Sequence, residues 1–383
     1  MRIVFLCGSL EPGRDGVGDY VRRIAIALTG KGHVVAAIAL YDSYVTFTTE
    51  YLEEASDGNF QVVRIPSAYK AKCRFDVATG FTKKFNAQWL TLQYVGFGFN
   101  RYGLPWDIIL FLKRVIGKAK LHIMLHELWC GMPAKIGRKE KLLGSIQKKF
   151  LPIMLHKLRP QSVSTSNLFY ASELNRIKID CNVLPIFGNI PLDDLGNDED
   201  WNTIVNNTLL VPLITQPAHW VVLGFFGAIY TCPGLEKLIY TASEAADKMG
   251  LKFGLLAFGY NGEKDITAFV KDITDVTCWQ TGPLPSAMIN RVLHLVNAGI
   301  ITTPADRITK SGSAMALLER GIPVLVSSKD DTYNKAGMVV DGIYQINTID
   351  DVQDGISAKG KLSTGSRLLQ VAKFYSDLAL NMN

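Results

Sequence analysis

The sequence predicts an α/β protein of two Rossmann-like domains, each built on its own parallel sheet. Three observations predict it. Short apolar runs alternate with amphipathic or irregular segments along nearly the whole chain, the pattern of repeated strand-helix-strand units. The alternation pauses in a polar stretch after residue 188 and restarts at HWVVLGFFG. A chain of 383 residues with 48% hydrophobic content is long enough for two cores and longer than one core usually organises.

The first strand is RIVFLC, residues 2 to 7, cut short by Gly8, Glu11 and Pro12, so it reads as neither a membrane anchor nor a signal peptide. A helix follows with the apolar stripe Val17, Val21, Ile24 and Leu28, then the strand VVAAIALY after Gly32. Glycines 13, 16 and 18 in the first crossover, with Asp42 ending the second strand, raise the question of a dinucleotide fold. The spacing argues against it: Val21 stands where that fingerprint needs its third glycine, and the loop is too long for its tight turn. Further strands are FQVVRI (60 to 65), WLTLQY (89 to 94), LHIML (121 to 125), QSVST (161 to 165) and NVLPIF (182 to 187). Parallel pairing with crossovers is the expectation for all of them.

His126 and Glu127 fall at the carboxyl end of LHIML, where open α/β sheets bind ligands; a structural histidine is the alternative. GNIPLDD, residues 188 to 194, reads as a turn and linker, and the polar stretch to about Gln216 as a partly helical hinge or insertion. The second domain then runs through HWVVLGFFG, a helix opened by Pro233 with Leu235, Leu238, Ile239 and Ala242 inward, KFGLLAFG (252 to 259), VTCWQTG (276 to 282) with Trp279 in the core, and a helix from Pro285 to Val296. Next comes a compact βαβ unit: a strand Ile300 to Thr302, a loop, a helix bearing Met315, Leu317 and Leu318, a stop at Gly321, and a strand Pro323 to Val326. The strand VVDGIYQI (339 to 346) and a helix from about Ser366 to Leu380 complete the chain.

The loop of that βαβ unit holds Arg307, Thr309, Lys310, Ser311, Gly312 and Ser313. Two cations, hydroxyls and unpaired backbone N–H groups converging on a helix N-terminus suit a phosphate. A solvated loop capped by Ser311 or Ser313 is the alternative.

Charge and cysteine usage narrow the function classes. With 41 basic against 35 acidic residues, net +6, the balance does not point to nucleic acid. The distribution says more: residues 135 to 159 carry eight Lys or Arg and the single acid Glu140, a candidate face for an anionic membrane or a merely solvated helix face. Cysteines 7, 73, 130, 181, 232 and 278 form no C-x-x-C pair and read as reduced thiols, with no zinc site expected. A cytoplasmic chain is the expectation.

Two motifs carry a resemblance. The run Gly16, Val17, Gly18, Tyr20 and Gly32-His33 resembles the opening of the retaining glycosyltransferases of family four, and Glu319 with the G-x-P-V run of Gly321, Pro323 and Val324 resembles that family's acid-bearing helix and the strand after it. The resemblance implies the GT-B arrangement: an acceptor-side domain over residues 1 to 190, a nucleotide-sugar domain over 191 to 365, and a terminal helix, 366 to 383, returning to the first domain. It implies that Gly16, Gly18 and Gly227 lie by the donor phosphates, that the base packs near Thr281 and Gly282, that Glu319 binds the ribose hydroxyls, and that His126 faces the sugar. Gln93, Glu127 and Asn167 are weaker matches, expected along the cleft. The chain also departs from the pattern: Ser311 replaces the family's first acid, and Ala228 and Cys232-Pro233 stand where its Arg and Lys grip the diphosphate. Arg307 and Lys310 are then the candidates to neutralise that diphosphate.

The implied activity is metal-independent transfer of a sugar, with retention, from a nucleoside diphosphate sugar to a hydroxyl on a glycan or lipid-linked acceptor, with no cofactor. Rivals are a GT-B-shaped binding subunit without catalysis, and a nucleotide-sugar epimerase or phosphorylase on the same fold.

Overall fold

The computed structural model describes residues 1–55, 58–132, 137–188, 190–192, 195–230, 232–259, 266–269, 276–303, 308, 311–327 and 341–380. The chain forms two compact units, Met1–Pro185 with Leu368–Asn383, and Ile186–Arg367.

The first unit holds strands β1 (Arg2–Cys7), β2 (Val34–Asp42), β3 (Thr49–Glu53), β4 (Phe60–Pro66), β5 (Trp89–Tyr94), β6 (Lys120–Leu125), β7 (Ser162–Thr165) and β8 (Asn182–Val183). Its helices are α1 (Gly16–Gly30), α2 (Ala71–Phe85), α3 (Gly96–Phe99), α4 (Trp106–Ile116), α5 (Arg138–Leu158) and α6 (Leu168–Arg176). The sheet runs β3-β4-β2-β1-β5-β6-β7-β8. All its pairings are parallel except β3 with β4, so the expectation of a wholly parallel sheet is corrected at one edge. β3 returns directly on β4 and is largely exposed, with no crossover to cover it. The central strands β1, β5 and β6 are buried on both faces, which is why they read as largely apolar runs, with Thr91, Gln93 and His122 as buried polar exceptions.

The second unit begins with two short helices, α7 (Asp198–Asn207) and α8 (Val211–Thr215), in the stretch expected to be partly helical. It continues through β9 (Trp220–Phe226), α9 (Leu235–Lys248), β10 (Lys252–Phe258), β11 (Val276–Gln280), α10 (Ser286–Leu295), β12 (Ala298–Ile300), α11 (Gly312–Leu318), β13 (Val324–Ser327), β14 (Ile343–Ile346) and α12 (Ile349–Ser357). The sheet order is β11-β10-β9-β12-β13-β14, all parallel. Trp279 is buried edge-on to Trp220 and donates its indole N–H to the Leu209 carbonyl at 3.1 Å. The last helix, α13 (Arg367–Leu380), seats the fully buried Tyr375 at 5.3 Å from both Phe5 and His122, within the first unit.

Several boundaries move. NVLPIF pairs only over Asn182–Val183, because Pro185 has no N–H to give a ladder. The strand expected at 300 to 302 lies at Ala298–Ile300 and the final strand begins at Ile343; residues 339 and 340 lie outside the described residues.

Candidate functional site

In each sheet the strand order reverses beside its first strand: after β1 the chain builds toward β2 and then crosses to β5, and after β9 it builds toward β10 and then crosses to β12. Such a reversal leaves a crevice beyond the carboxyl ends of the two strands, because their loops diverge to opposite faces.

In the second unit that crevice is a depression of about 160 Å³ at the ends of β9 and β12. Gly227, Ala228 and Tyr230 line it from one side, and Thr302, Thr303, Ser311 and Ser313 from the other. Gly227 turns the chain out of β9 with φ +84°, and an added Cβ would sit 3.0 Å from the Ser313 Oγ. Any larger residue would close the approach of these two loops. The Tyr230 N–H donates to Thr302 Oγ1 at 2.9 Å, fixing one wall. The Ser311 Oγ accepts from the Ala314 N–H at 3.2 Å, capping α11, and its hydroxyl proton remains to be donated. Ser313 stands one residue inside the helix. The described lining thus sets hydroxyls and backbone beside the apolar Phe225, Phe226, Ile300 and Ile301. Arg307 and Lys310 lie outside the described residues.

The other second-unit candidates divide. Thr281 and Gly282 follow β11; the Thr281 hydroxyl donates to the Gly282 carbonyl at 3.0 Å, while Gly282, φ +69°, accepts from the Gly259 N–H at 3.0 Å. They do not line the depression. Glu319 is only 3% exposed, and it does not line the depression either. Its carboxylate accepts from the Gly188 N–H at 3.0 Å and from the Arg367 N–H at 2.9 Å. A Cβ on Gly188 would lie 2.6 Å from the Glu319 Oε2, so the glycine admits the carboxylate. Sequence reading missed this clasp, whose partners are backbone groups and leave no residue signature.

In the first unit, Gly18 lets α1 pack on the β1 loop: a Cβ there would lie 2.7 Å from the Ser9 carbonyl oxygen. Gly16 has open space around it. Asp15 caps α1, its Oδ1 accepting from Val17 and Gly18 N–H groups, and burial raises its pKa despite these bonds. Asp42, whose place at the end of the second strand raised the dinucleotide question, is fully buried and bound by Arg64 at 2.7 Å and by the Leu10 N–H at 3.2 Å.

His126 sits at the end of β6, 5% exposed, edge-on to Tyr20 at 4.9 Å between ring centroids. Its Nε2 lies 2.8 Å from Gln93 Oε1. The Gln93 amide nitrogen donates to Thr91 Oγ1 at 2.8 Å and to the Tyr375 hydroxyl at 3.2 Å, which turns its oxygen toward His126 Nε2, an acceptor for the tautomer that carries its proton there. Thr91 also meets His122 Nδ1 at 2.7 Å, and His122 Nε2 meets Ser164 Oγ at 2.9 Å. Burial, with His126 close by, pushes the His122 pKa down to about 3, so His122 is neutral and relays one donor and one acceptor. The structure thus brings His126 and Gln93 together in one buried network. Glu127, the next residue, is half-buried. Asn167 caps α6, its side-chain oxygen accepting from the Tyr170 N–H at 2.8 Å, a role fixed by helix chemistry. Among the described residues no group of three or more His, Cys, Asp or Glu is placed to hold a metal ion.

Neither a protein-family model nor a curated protein sequence matches the chain. Solved structures do match. A glycosyltransferase from Rickettsia africae aligns over 99% of this chain and 93% of its own, with a TM-score of 0.55 and 13% identity. UDP-GlcNAc 2-epimerase from Neisseria meningitidis, bound to UDP-GlcNAc, aligns over 100% of both chains, with a TM-score of 0.57 and 9% identity. A UDP-forming α,α-trehalose-phosphate synthase from Burkholderia xenovorans, in complex with glucose-6-phosphate, aligns over 99% of both chains at a TM-score of 0.50 and 9% identity. At such identities the likeness speaks for the fold, and the fold is GT-B.

Proposed function

We propose that this chain is a glycosyltransferase that takes a sugar from a nucleoside diphosphate donor and passes it, with retention, to a hydroxyl of a glycan or lipid-linked acceptor. The observation that carries the reading is the depression at the strand reversal of the second sheet, walled by Gly227, Thr302, Ser311 and Ser313. Its size suits a phosphate-bearing part of a ligand better than a whole nucleotide sugar, since sites for drug-sized molecules are typically about 300 Å³ or more. In the reaction the acceptor oxygen bonds the anomeric carbon as the bond from that carbon to the diphosphate oxygen breaks. The diphosphate leaves with the electron pair, and the acceptor proton ends on the diphosphate or in solvent. Donor groups aimed at the leaving oxygens stabilise the charge that develops there. The Ser311 and Ser313 hydroxyls are suited to that task, with Arg307 and Lys310 as the sequence's candidates for neutralising charge.

The epimerase likeness supports a second reading on the same fold, and one experiment separates the readings. Purified protein is incubated with a panel of nucleoside diphosphate sugars and the products are followed by mass spectrometry and chromatography. A transferase binds its donor and slowly releases free nucleoside diphosphate to water. An epimerase changes the sugar and frees no nucleotide. A binding subunit does neither. For the donor that binds, Ser313→Ala is expected to weaken nucleoside diphosphate by about tenfold and the matching nucleoside little, as for one charge-assisted hydrogen bond. His126→Ala is expected to lower turnover more than donor affinity. Equal affinity of wild type and Ser313→Ala for the diphosphate would move the site away from this depression.

A further inference from the structure

The helix α5 presents an unusual outer face. Leu142, Ile146 and Ile153 are 66%, 46% and 44% exposed. At about 100° per residue they fall within an arc of about 40°. They form one aliphatic crest on the side opposite the buried Leu151, Met154, Leu155 and Leu158. Lys149 and Arg138 flank the crest on one side, Lys139 and Lys157 on the other, and all four are exposed. The only acid of the helix, Glu140, falls about 140° from the crest and accepts from the Gly137 N–H at its own N-terminus. Lys148, by contrast, is engaged with Glu173 at 3.6 Å and over the Trp129 ring. The surface continues onto α4. Trp106, 51% exposed, meets Phe150 of α5 edge-on at 4.8 Å, and Leu110 beyond it is 68% exposed.

A solvated helix carries charge at its outer pole, whereas here the pole is aliphatic and the charge is displaced to the flanks. We propose that the outer face of α5, extended by Trp106 and Leu110, docks on an anionic lipid bilayer. Charge complementarity selects this occupant. A crest of branched aliphatics reaches the acyl boundary while lysine stems spread sideways and set their ammonium groups among lipid phosphates. The half-exposed Trp106 suits the headgroup level. Among the described residues no helix is long and apolar enough to cross a membrane, so the attachment is to the surface. On the donor reading above, on which only this clause rests, a lipid-linked acceptor is met at that surface.

The test needs no substrate, so its failure and the failure of the donor reading are distinguishable. The full chain is co-sedimented with vesicles of phosphatidylcholine alone and of phosphatidylcholine mixed equally with phosphatidylglycerol. Binding to the anionic vesicles is expected to exceed binding to the neutral ones by tenfold or more and to weaken steeply with salt, as a polybasic attraction must. The triple variant K139E/K149E/K157E is expected to lose the anionic preference. The triple variant L142S/I146S/I153S is expected to bind at low salt and to lose most of the fraction that survives high salt. These are surface changes, so both variants should keep the wild-type thermal midpoint. Three results overturn the proposal: no binding to anionic vesicles at low salt, equal binding to both vesicle types, or binding unchanged in both triple variants. Concentration-dependent self-association abolished by L142S/I146S/I153S, with no vesicle binding, would assign the face to a second copy of the chain and overturn it as well.

Discussion

Glu319 illustrates how a single residue that fits a motif can also hold structural bonds of its own. Its position in a helix-Gly-x-Pro-Val run resembles a ribose ligand, yet its carboxylate is buried and accepts N–H groups from Gly188 and Arg367, close to the first and last residues of the second unit. One side chain thus ties together the two ends of that unit. Glu319→Gln preserves the shape but sets an amide NH2 against one of the two N–H donors. Leaving a buried donor unpaired costs about 1 to 3 kcal/mol. The expected outcome is a urea midpoint for the second unit lowered to match, with discrimination between ribo and 2′-deoxy nucleotides as strong as in wild type. Loss of that discrimination without loss of stability would return the residue to the ribose role.

At the level of the element, β6 shows why a polar residue can sit inside an apolar strand. His122 is fully buried between Thr91 of β5 and Ser164 of β7, each one strand away, so both ring nitrogens are satisfied across the sheet. Its pKa, pushed down to about 3 in the fold, is about 6.5 in the unfolded chain. Between those values the unfolded state binds the extra proton, so stability is full above about pH 6.5 and falls as pH drops toward 3, by up to about 1.4 kcal/mol per unit. Denaturant midpoints measured across that window should slope more steeply for wild type than for His122→Gln; parallel slopes would mean that other groups set the acid limit. Helix α11 shows the opposite case, in which local chemistry suffices. Ser311 caps it, Gly321 with φ +68° follows its end, and both signals stand in the sequence.

At the scale of the whole molecule, the chain closes on itself through its last helix. Tyr375, Val371 and Ala372 of α13 are fully buried in the first unit, and the Tyr375 hydroxyl accepts from Gln93 in the network that also holds His126. A chain ending at Arg367 would expose that face. Losing a large buried aromatic and its neighbours should remove several kcal/mol, a large share of a domain's typical 5 to 15. Hydrogen exchange is expected to show β1, β5 and β6 amides losing protection while β9 and β10 keep theirs; equal loss in both sheets would mean that the units do not unfold separately. The sequence by itself determined the α/β class, the restart near Trp220, the strands β1, β5, β6, β9 and β10, and the stop at Gly321, because burial on both faces and local hydrogen bonding write themselves into residue type. Only the tertiary structure decided the antiparallel turn-back of β3, the engagement of Glu319 as a clasp, and the threading of polar contacts from Tyr375 to Ser164. In each of these the partner is a backbone group or a side chain distant in sequence, and neither residue type nor spacing encodes which one it will meet.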